Sequence, residues 1–456
     1  MEQGPSSKCM RYSLPLVLLV GPGVLGWSWW LPFQKSAPDH RVIDRPVSIF
    51  VYDLPHELLH PERNMTLSSC TYDLYLTELA IPDIANHRLP QPSKNQNIIL
   101  DQDDISYDYY LIPQYSTCYY HQCIDQDKDN AERRMHCRMQ TTKYLQNILD
   151  HVEAKYPFWD RQQGQDHILV FPWDEASSLV ADKYLRSRLA SCIHLTHLGT
   201  DKLVRNFNPI KDISIPVLRD FSLVSFEPAR FETDISDPSR QRPLFAYFRG
   251  TIKENPEHGR GIRQWIQKYG QEDRKTYYVK EEHSMFYWSE LGKARFALCP
   301  PGWSSWSPRL FDAIVTGAIP VIISDEWMPP FSGSLLNYSD FTIRVAESQI
   351  SRLTEILKAI PAEEEVRLRK NLGSVMEHVV YDLEPFKGMD AFESIYEVLK
   401  QRKIKRIQAM EQAQLGYETE ESDQSEIEIE LGHHVYGSEG DEEAEGRPQA
   451  FKRIEL

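Results

Sequence analysis

One segment of the chain, residues 296–325, constrains the fold more than any other. It reads FALCPPGWSSWSPRLFDAIVTGAIPVIISD, an apolar run followed by a Pro/Gly turn, a helical pattern and a second apolar run. We predict a strand at 296–299, a helix at 307–316 and a strand at 319–323. The roughly 20 residues between the strands are the length that a right-handed βαβ unit needs. The segment therefore predicts a parallel sheet.

Residues with known positional preferences mark the ends of the predicted helix. Ser307 is placed as the N-cap, which puts Pro308 at the first helical position, where its missing N–H costs nothing. Gly317 falls where a glycine commonly ends a helix. The turn at 300–302 and the first helical turn would then lie together at the carboxyl end of the sheet, where open α/β proteins bind their ligands.

This turn and helix start carry groups suited to a nucleotide sugar. Free backbone N–H groups and the helix dipole favour a diphosphate there. Arg309 adds a forked cation, and Asp312, three residues on, can accept hydrogen bonds from a ribose diol. Arg249 and Gly250 follow another predicted strand and would add a second cation and room for close backbone approach. The Arg309–Asp312 spacing also suits an ordinary surface ion pair, and that interpretation stays open.

Apolar runs and helical patterns alternate on both sides of this segment. Further strands are predicted at residues 47–55, 107–114, 167–171, 244–248 and 277–279. Further helices are predicted at residues 130–153, 257–269, 283–294, 347–360, 363–381 and 389–410. A charged stretch with prolines at 220–243 reads as a linker. We therefore predict two Rossmann-like βαβ domains, 46–219 and 244–410, that face a cleft.

The N-terminal segment predicts a membrane anchor. Residues 12–34 contain no ionisable group except Tyr12, and about 20 apolar residues suffice to cross a bilayer. Basic residues precede the segment and tryptophans lie at its far end, which favours a cytosolic stretch at 1–11 and a lumenal body after a stem at 35–45. This is the arrangement of a single-pass type II protein. A cleaved signal peptide and a soluble cytosolic protein are the alternatives.

The net charge of −16 is concentrated in one region. Residues 411–456 hold 14 acidic and 3 basic residues and few aromatic ones, a composition typical of a disordered tail. The rest of the chain is nearly neutral and has no basic field that would attract nucleic acid. Nucleic acid is therefore not among the expected partners.

Cysteine usage agrees with a lumenal body. Six of the seven cysteines follow the predicted anchor, and an even number in an oxidising compartment permits up to three disulfides. Cys118, Cys123 and Cys137 cluster, and we predict one bridge there. A zinc site with nearby histidines is kept as an alternative, although the spacing is irregular. Sequons at Asn64 and Asn337 also suit a lumenal glycoprotein.

Residues 296–331 resemble the signature of the exostosin family, glycosyltransferase family 47. The family pattern combines a lysine-containing helix, a strand, Pro-x-Gly, Ser-x-Arg, an acidic residue, Gly, Ile-Pro-Val-Ile, Asp and Pro-Phe. This chain matches the pattern at Lys293, Pro300, Gly302, Ser307, Arg309, Asp312, Gly317, 319–322, Asp325 and 330–331. Upstream of this segment, other landmarks of the family occur in order at 51–55, 109–114, 156–174, 211–213 and 248–250. The resemblance covers about residues 46–400.

The resemblance implies a GT-B fold, a Golgi membrane location and an inverting transfer from a nucleotide sugar, usually a UDP sugar. Donor contacts are then expected from Arg249, Gly250, Pro300, Gly302, Ser307, Arg309, Asp312 and Asp325. The acceptor would be a glycan bound against the first domain, and an oligomer with related transferases is a further expectation. The family usually has glutamate where Asp312 stands, and it often has histidine in the segment after residues 166–167. This chain departs from both patterns.

Such an inverting reaction needs no metal and no cofactor beyond the UDP-sugar substrate, because fixed cations can stabilise the departing diphosphate. A general base would help deprotonate the acceptor hydroxyl. Asp174 is the first candidate and Glu175 the second, since both follow a strand of the first domain. Carboxylates in such positions also serve as helix caps.

Two rival hypotheses come from different classes. Residues 98–104 read IILDQDD, and the Asp-x-Asp resembles the Mn²⁺-binding motif of GT-A glycosyltransferases. Alternatively, the departures from the family pattern suit a catalytically degenerate partner or chaperone of an active transferase. Loss of activity on chelation would favour the first rival, and UDP binding that is unchanged by Arg309→Ala would favour the second or a different site.

Overall fold

In the computed structural model, two parallel sheets form the framework of the chain. The structure describes residues 47–59, 76–89, 107–125, 130–200, 207–219, 221, 224, 231–232, 242–382 and 389–409. Within these residues, each sheet has five strands, and all pairings between them are parallel. The predicted α/β class with two parallel sheets is therefore confirmed. The predicted anchor and acidic tail lie outside the described residues, and no helix within those residues is long and apolar enough to cross a membrane.

The first sheet runs in chain order. Its strands are β1 Ile49–Val51, β2 Tyr109–Leu111, β3 His167–Val170, β4 Ile193–Thr196 and β5 Ile213–Ser214. The helices around it are α1 His56–Leu59, α2 Leu76–Arg88, α3 Ser116–Asp125, α4 Ala131–Lys155, α5 Trp159–Gln162 and α6 Lys183–Leu189, with a 3₁₀ turn at Ala176–Leu179. Phe50 lies opposite Tyr110, and Leu111 lies opposite Ile168. All residues of these strands are buried, which explains why they read as continuous apolar runs.

The second sheet has the strand order β10-β9-β8-β6-β7. Its strands are β6 Leu244–Arg249, β7 Tyr277–Lys280, β8 Ala294–Cys299, β9 Ile319–Ile322 and β10 Ile343–Arg344. The remaining helices are α7 Ile262–Glu272, α8 Tyr287–Leu291, α9 Arg309–Thr316, α10 Leu353–Lys358, α11 Ala362–Val375 and α12 at 391–409, with 3₁₀ turns at Tyr338–Asp340, Glu347–Arg352 and Met376–Val379. Helix α9 is the crossover that the sequence predicts between β8 and β9.

The last described helix, α12, returns to the first sheet. The Tyr109 hydroxyl donates to the carbonyl of Leu399 at 3.1 Å, and the Tyr396 hydroxyl donates to the carbonyl of Val47 at 2.9 Å. Phe392 and Ile395 join the same buried apolar cluster as the inward side chains of β1 to β4. Sequence order alone assigns this helix to the C-terminal domain, whereas its apolar face packs on the N-terminal sheet.

Local boundaries differ from the predictions where side chains make tertiary contacts. Helix α9 begins at Arg309 rather than at the predicted 307, and the predicted Ser307 cap bond is not formed. Gly317 does end the helix, in a left-handed conformation. Helix α7 begins at Ile262 rather than 257, because residues 259–261 adopt positive φ angles that no helix accommodates. The short strands β4, β5 and β10 were not predicted.

A disulfide joins α3 to α4. It links Cys123 to Cys137 and so confirms the bridge predicted within the cysteine cluster. Cys118 is disulfide-bonded as well. Cys192 and Cys299 are buried free thiols, which assigns Cys299 to the core of the second sheet.

Candidate functional site

The strand order of the second sheet opens a crevice between β6 and β8. From β6 the chain moves to β7 on one side and then to β8 on the other. In open parallel sheets, such a reversal creates a ligand site beyond the carboxyl ends of the two strands. Those ends are Arg249, followed by Gly250, and Cys299, followed by the 300–302 turn. The residues predicted to contact the donor therefore surround a topological switch point.

Arg309 reaches across this crevice from the start of α9. Its Nε donates to the backbone carbonyl of Arg249 at 2.9 Å, and its Nη1 lies 3.4 Å from the Ser307 hydroxyl oxygen. The guanidinium carbon is 4.9 Å from the centroid of the Phe248 ring. Within the described residues, these contacts are to neutral groups and no carboxylate forms an ion pair with Arg309. Its positive charge is therefore fixed in place but not neutralised.

Gly250 is required by the position of Arg309. A Cβ atom added to Gly250 would lie 1.8 Å from Nη2 of Arg309, well inside van der Waals contact. Any side chain at this position would displace the guanidinium. The glycine predicted for close approach thus accommodates an arginine side chain, and the two residues act as one unit.

Asp312, in the same helix as Arg309, is buried and bonds to Arg219 and Tyr287. Arg219 donates to its two carboxylate oxygens at 3.2 and 3.3 Å, and the Tyr287 hydroxyl donates to Oδ2 at 2.6 Å. Burial raises the pKa of Asp312, and the charge of Arg219 and the Tyr287 hydrogen bond oppose that rise. The surface pair between Arg309 and Asp312 is not formed, because Asp312 is only 2% exposed. Its ribose contact remains a prediction.

The charge of Arg249 is largely neutralised by Glu290 of α8. Its Nη2 lies 2.8 Å from Oε2 of Glu290, and its Nε also donates to that oxygen at 3.1 Å. The Tyr247 hydroxyl and the carbonyl of Glu282 accept further hydrogen bonds from this guanidinium. A role for Arg249 in phosphate binding remains a prediction, although its side chain is already engaged.

Two groups that the sequence did not single out lie beside Arg309. Arg263, in the first turn of α7, donates to the carbonyl of Pro301 at 2.8 Å and to that of Thr251 at 2.7 Å. Burial, followed by the charge of Arg309, lowers its pKa to about 9, so Arg263 stays protonated at neutral pH. His258 is buried next to it, and its Nδ1 has no hydrogen-bond partner. The glycines at 259 and 261 signal a special turn, but only the fold brings these side chains to the crevice.

The remaining predicted donor residues have mainly structural contacts. The N–H of Gly302 donates to the carbonyl of Ser304 at 3.0 Å, so it is not free for a phosphate, and its carbonyl accepts from Gly259 at 2.8 Å. Pro300 is buried at the end of β8. Asp325 follows β9 and exchanges two hydrogen bonds with Glu347, at 3.1 and 2.9 Å.

Asp174 of the first half contacts the loop that precedes Arg309. Its Oδ1 accepts a hydrogen bond from the indole N–H of Trp306, and the Ser304 hydroxyl donates to it as well. Burial raises the pKa of Asp174 to about 6, although both hydrogen bonds oppose the rise. Glu175, the second candidate base, forms a salt bridge with Arg138 of α4. Of the two carboxylates, Asp174 therefore is the one that lies against the donor-side loop.

His197 packs against Trp306, the residue that donates to Asp174. Its Nδ1 lies 3.1 Å from the carbonyl of Ile215, and because a carbonyl can only accept, Nδ1 carries the proton. Its Nε2 lies 3.5 Å from the Thr77 hydroxyl. The ring is 5.1 Å from that of Trp306. His197 is thus a fully buried residue that packs beside the Trp306 indole.

The described residues contain no group of side chains arranged as a metal site. No three His, Cys, Asp or Glu side chains group there as metal ligands would. The Asp-x-Asp stretch at 98–104 lies outside the described residues. Metal independence therefore stays a prediction.

The Exostosin GT47 domain family matches residues 43–360. This match spans most of the chain, and the chain belongs to the exostosin GT47 family of glycosyltransferases. The predicted family and enzyme class are therefore confirmed.

The chain is also similar to plant enzymes of this family. A probable glucuronosyltransferase of Oryza sativa subsp. japonica is 28% identical over 76% of this chain and 78% of its own length. A probable glucuronoxylan glucuronosyltransferase of Arabidopsis thaliana is 26% identical, covering 81% of this chain and 76% of that protein. A probable beta-1,4-xylosyltransferase of Arabidopsis thaliana is 26% identical, covering 77% and 82%.

Solved structures show a more distant likeness. Anabaena HepE in complex with UDP and glucose aligns with 79% of this chain and 99% of its own, at 9% identity and a TM-score of 0.34. A glycosyltransferase from Rickettsia africae aligns with 79% and 97%, at 7% identity and a TM-score of 0.32. These values are too low to place a ligand in this chain.

Proposed function

We propose that the protein is an inverting, metal-independent glycosyltransferase of GT-B type that moves a sugar from a UDP donor onto a glycan or polysaccharide acceptor. The observation that carries the proposal is the fixed, unneutralised guanidinium of Arg309 at the switch point of the second sheet. Arg309 is half-buried and none of its contacts within the described residues is to an anion, and a diphosphate would supply an anionic partner. The donor would therefore bind with its diphosphate against Arg309.

The same cation would act in the transition state. As the bond between the sugar and the diphosphate of the donor breaks, negative charge develops on the departing diphosphate. Arg309 is already oriented to stabilise that charge. Inversion requires the acceptor hydroxyl to attack from the opposite face of the sugar, with its proton passing to a base. Asp174 is the base we propose, because it lies against the loop that leads to Arg309 and its pKa is raised to about 6.

The relatives suggest which donors to test first. The plant proteins are described as glucuronosyltransferases and a xylosyltransferase. UDP-glucuronic acid and UDP-xylose are therefore the first choices, with other UDP sugars as comparisons. We also propose a Golgi-lumenal location, which the Cys123–Cys137 disulfide and the exposed sequon residue Asn337 support.

UDP binding by the purified protein tests the proposal, measured by calorimetry with EDTA present. We expect Arg309→Gln to weaken UDP binding at least about tenfold, since it removes a charge-assisted contact. Arg249→Gln is the informative comparison and should weaken binding less, because Glu290 already neutralises Arg249. Arg367→Gln, which removes an exposed arginine paired with Glu364, is the matched control.

Three results would contradict the proposal in different ways. Unchanged UDP binding in Arg309→Gln would move the donor site elsewhere. Binding or turnover that requires a divalent metal would favour the Asp-x-Asp hypothesis. A protein that binds no nucleotide at all would favour the role of a partner or chaperone.

A further inference from the structure

We propose that Arg263 and His258 complete the phosphate site with Arg309, and that His258 takes up a proton when the diphosphate binds. The proposal rests on the proposed function, because it assumes that a nucleotide diphosphate occupies the crevice between β6 and β8. It assigns binding roles to two residues outside the segment that the sequence pattern marks.

Arg263 and Arg309 hold their guanidinium groups around one aromatic ring. Their guanidinium carbons lie 5.8 and 4.9 Å from the centroid of Phe248, which is fully buried. Arg263 uses Nε and Nη1 on backbone carbonyls at the ends of β8 and β6, while its Nη2 lies 3.4 Å from the Cβ position of Gly302. The Nη2 group of Arg309 lies against Gly250 in the same way. In both arginines, some of the guanidinium N–H groups donate to backbone carbonyls. The Nη2 groups lie towards the glycines that line the crevice.

Two cations this close repel each other unless an anion lies between them. Among the described residues, neither arginine forms an ion pair with a carboxylate. The mutual repulsion contributes to the lowered pKa of Arg263. A diphosphate between the two guanidinium groups would remove this repulsion and accept hydrogen bonds from both of them.

His258 supplies a third donor next to these arginines. Its side chain is 6% exposed, its Nδ1 has no hydrogen-bond partner, and its ring lies 4.9 Å from the exposed Trp303 ring. Buried polar nitrogens are nearly always satisfied, so an orphaned one at the edge of a cationic pocket points to a missing hydrogen-bond partner. Once the ring is protonated, Nδ1 is a donor, and a phosphate oxygen would accept from it.

The charges around His258 explain why a proton would accompany the ligand. Burial, followed by the positive charges of Arg263, Lys253 and Arg309, lowers the pKa of His258 to about 4, so the ring is neutral before the ligand binds. The neighbouring Glu257 carboxylate is directed to the Asn255 amide at 3.3 Å. A bound dianion offsets these positive charges and accepts a hydrogen bond from the protonated ring, and both effects raise the pKa of His258. The complex then holds more protons than the free protein, so the contribution of His258 to UDP affinity rises as the pH falls.

Calorimetric titration of UDP in buffers of different ionisation enthalpy tests this linkage. At pH 6, the wild type should take up at least about half a proton more per UDP than His258→Asn. Between pH 7.5 and 5.5, the ratio of wild-type to variant affinity should grow about tenfold. Ionisation of UDP itself contributes equally to both proteins. His151→Asn is the matched control, because His151 also has an unpartnered nitrogen and a lowered pKa. It belongs to α4, which packs on the first sheet and not on the second.

The role of Arg263 is tested by comparing UDP with UMP. If Arg263 contacts the diphosphate, Arg263→Gln should lose at least about tenfold more affinity for UDP than for UMP. If Arg263 only holds the two strand ends together, both ligands should lose affinity equally, and that result would overturn its assignment. Thermal unfolding of each variant is measured in parallel, and Arg263→Lys, which keeps the charge, replaces the glutamine variant if that one does not fold.

Failure of this inference and failure of the proposed function give different results. If UDP binds to the wild type and is lost in Arg309→Gln, but His258→Asn takes up as many protons as the wild type, only the proton linkage is wrong. If UDP does not bind to the wild type, the proposed function itself fails.

Discussion

The indole N–H of Trp306 donates a hydrogen bond to the carboxylate of Asp174, 132 positions earlier in the sequence. Trp306 belongs to the loop between β8 and α9, which leads directly to Arg309, whereas Asp174 follows β3 of the first sheet. The contact therefore links the proposed base to the proposed phosphate site. It also tunes the base, because the hydrogen bond from Trp306 opposes the rise in the pKa of Asp174 that burial causes.

Asp174→Asn should abolish most turnover while leaving donor binding intact. The amide keeps the shape and the acceptor oxygen for Trp306 but cannot take a proton, so kcat should fall by about 100-fold to 10,000-fold. UDP affinity should stay within about threefold, since the proposed phosphate contacts are unchanged. Kinetics and calorimetry on the same preparation check both values. Near wild-type kcat in this variant would assign the base elsewhere, and Glu175→Gln would then be the next test.

The pH profile of kcat/KM should show the ionisation of Asp174. A base must be ionised to act, so activity should fall as the pH drops below about 6, the raised pKa of this carboxyl. Trp306→Phe removes the N–H donor and keeps an aromatic ring over His197, so the pKa of Asp174 should rise further and the acid limb should move to higher pH. An acid limb at the same pH in both proteins would contradict the assignment.

Gly250→Ala should damage the donor site without unfolding the protein. The added methyl group would occupy the place of the Arg309 Nη2 atom, 1.8 Å away, and the flexible side chain would have to move. UDP affinity should therefore fall at least about tenfold, as for loss of a charged hydrogen bond. Because the φ of Gly250 is +158°, the alanine also strains the backbone, and thermal unfolding measures that cost separately. Gly373→Ala is the matched control, because the nearest atoms to its added methyl belong to the Phe231 side chain, at 3.2 Å.

Removal of the Cys123–Cys137 disulfide should weaken the first half of the chain. The bridge closes a loop of 14 residues, and such a loop is worth about 3 kcal/mol through the entropy of the unfolded chain. Urea unfolding of the double variant Cys123→Ser/Cys137→Ser should show a loss of that size in the free energy of unfolding. If the wild type and the double variant unfold at the same urea concentration, the bridge does not stabilise the fold.

The parts of the fold that could be predicted are those with strong local signals. The β8–α9–β9 unit was predictable because the 300–302 turn, Pro308 and Gly317 bound long apolar runs. Short strands such as β5, with two residues, have no such pattern and depend on pairing with a neighbouring strand.

The site was predictable only in part, for a related reason. Arg309 could be found because a strand end and a helix start lie next to it in sequence. The partner of Asp312 could not, since Arg219 lies 93 residues away and the sequence gives no reason to join them. Arg263 reads as an ordinary helix surface residue until the fold brings the carbonyls of Thr251 and Pro301 to it.

The return of α12 to the first sheet affects the order in which the chain can fold during its synthesis. The face of β1 to β4 that Phe392, Ile395 and Leu399 cover is made early, but its cover is translated some 200 residues after β4. Until then, a nascent N-terminal half exposes an apolar surface. We therefore expect that half to bind chaperones during synthesis rather than to fold alone. A chain truncated at residue 360, where the family match ends, would keep both sheets and lack that cover permanently.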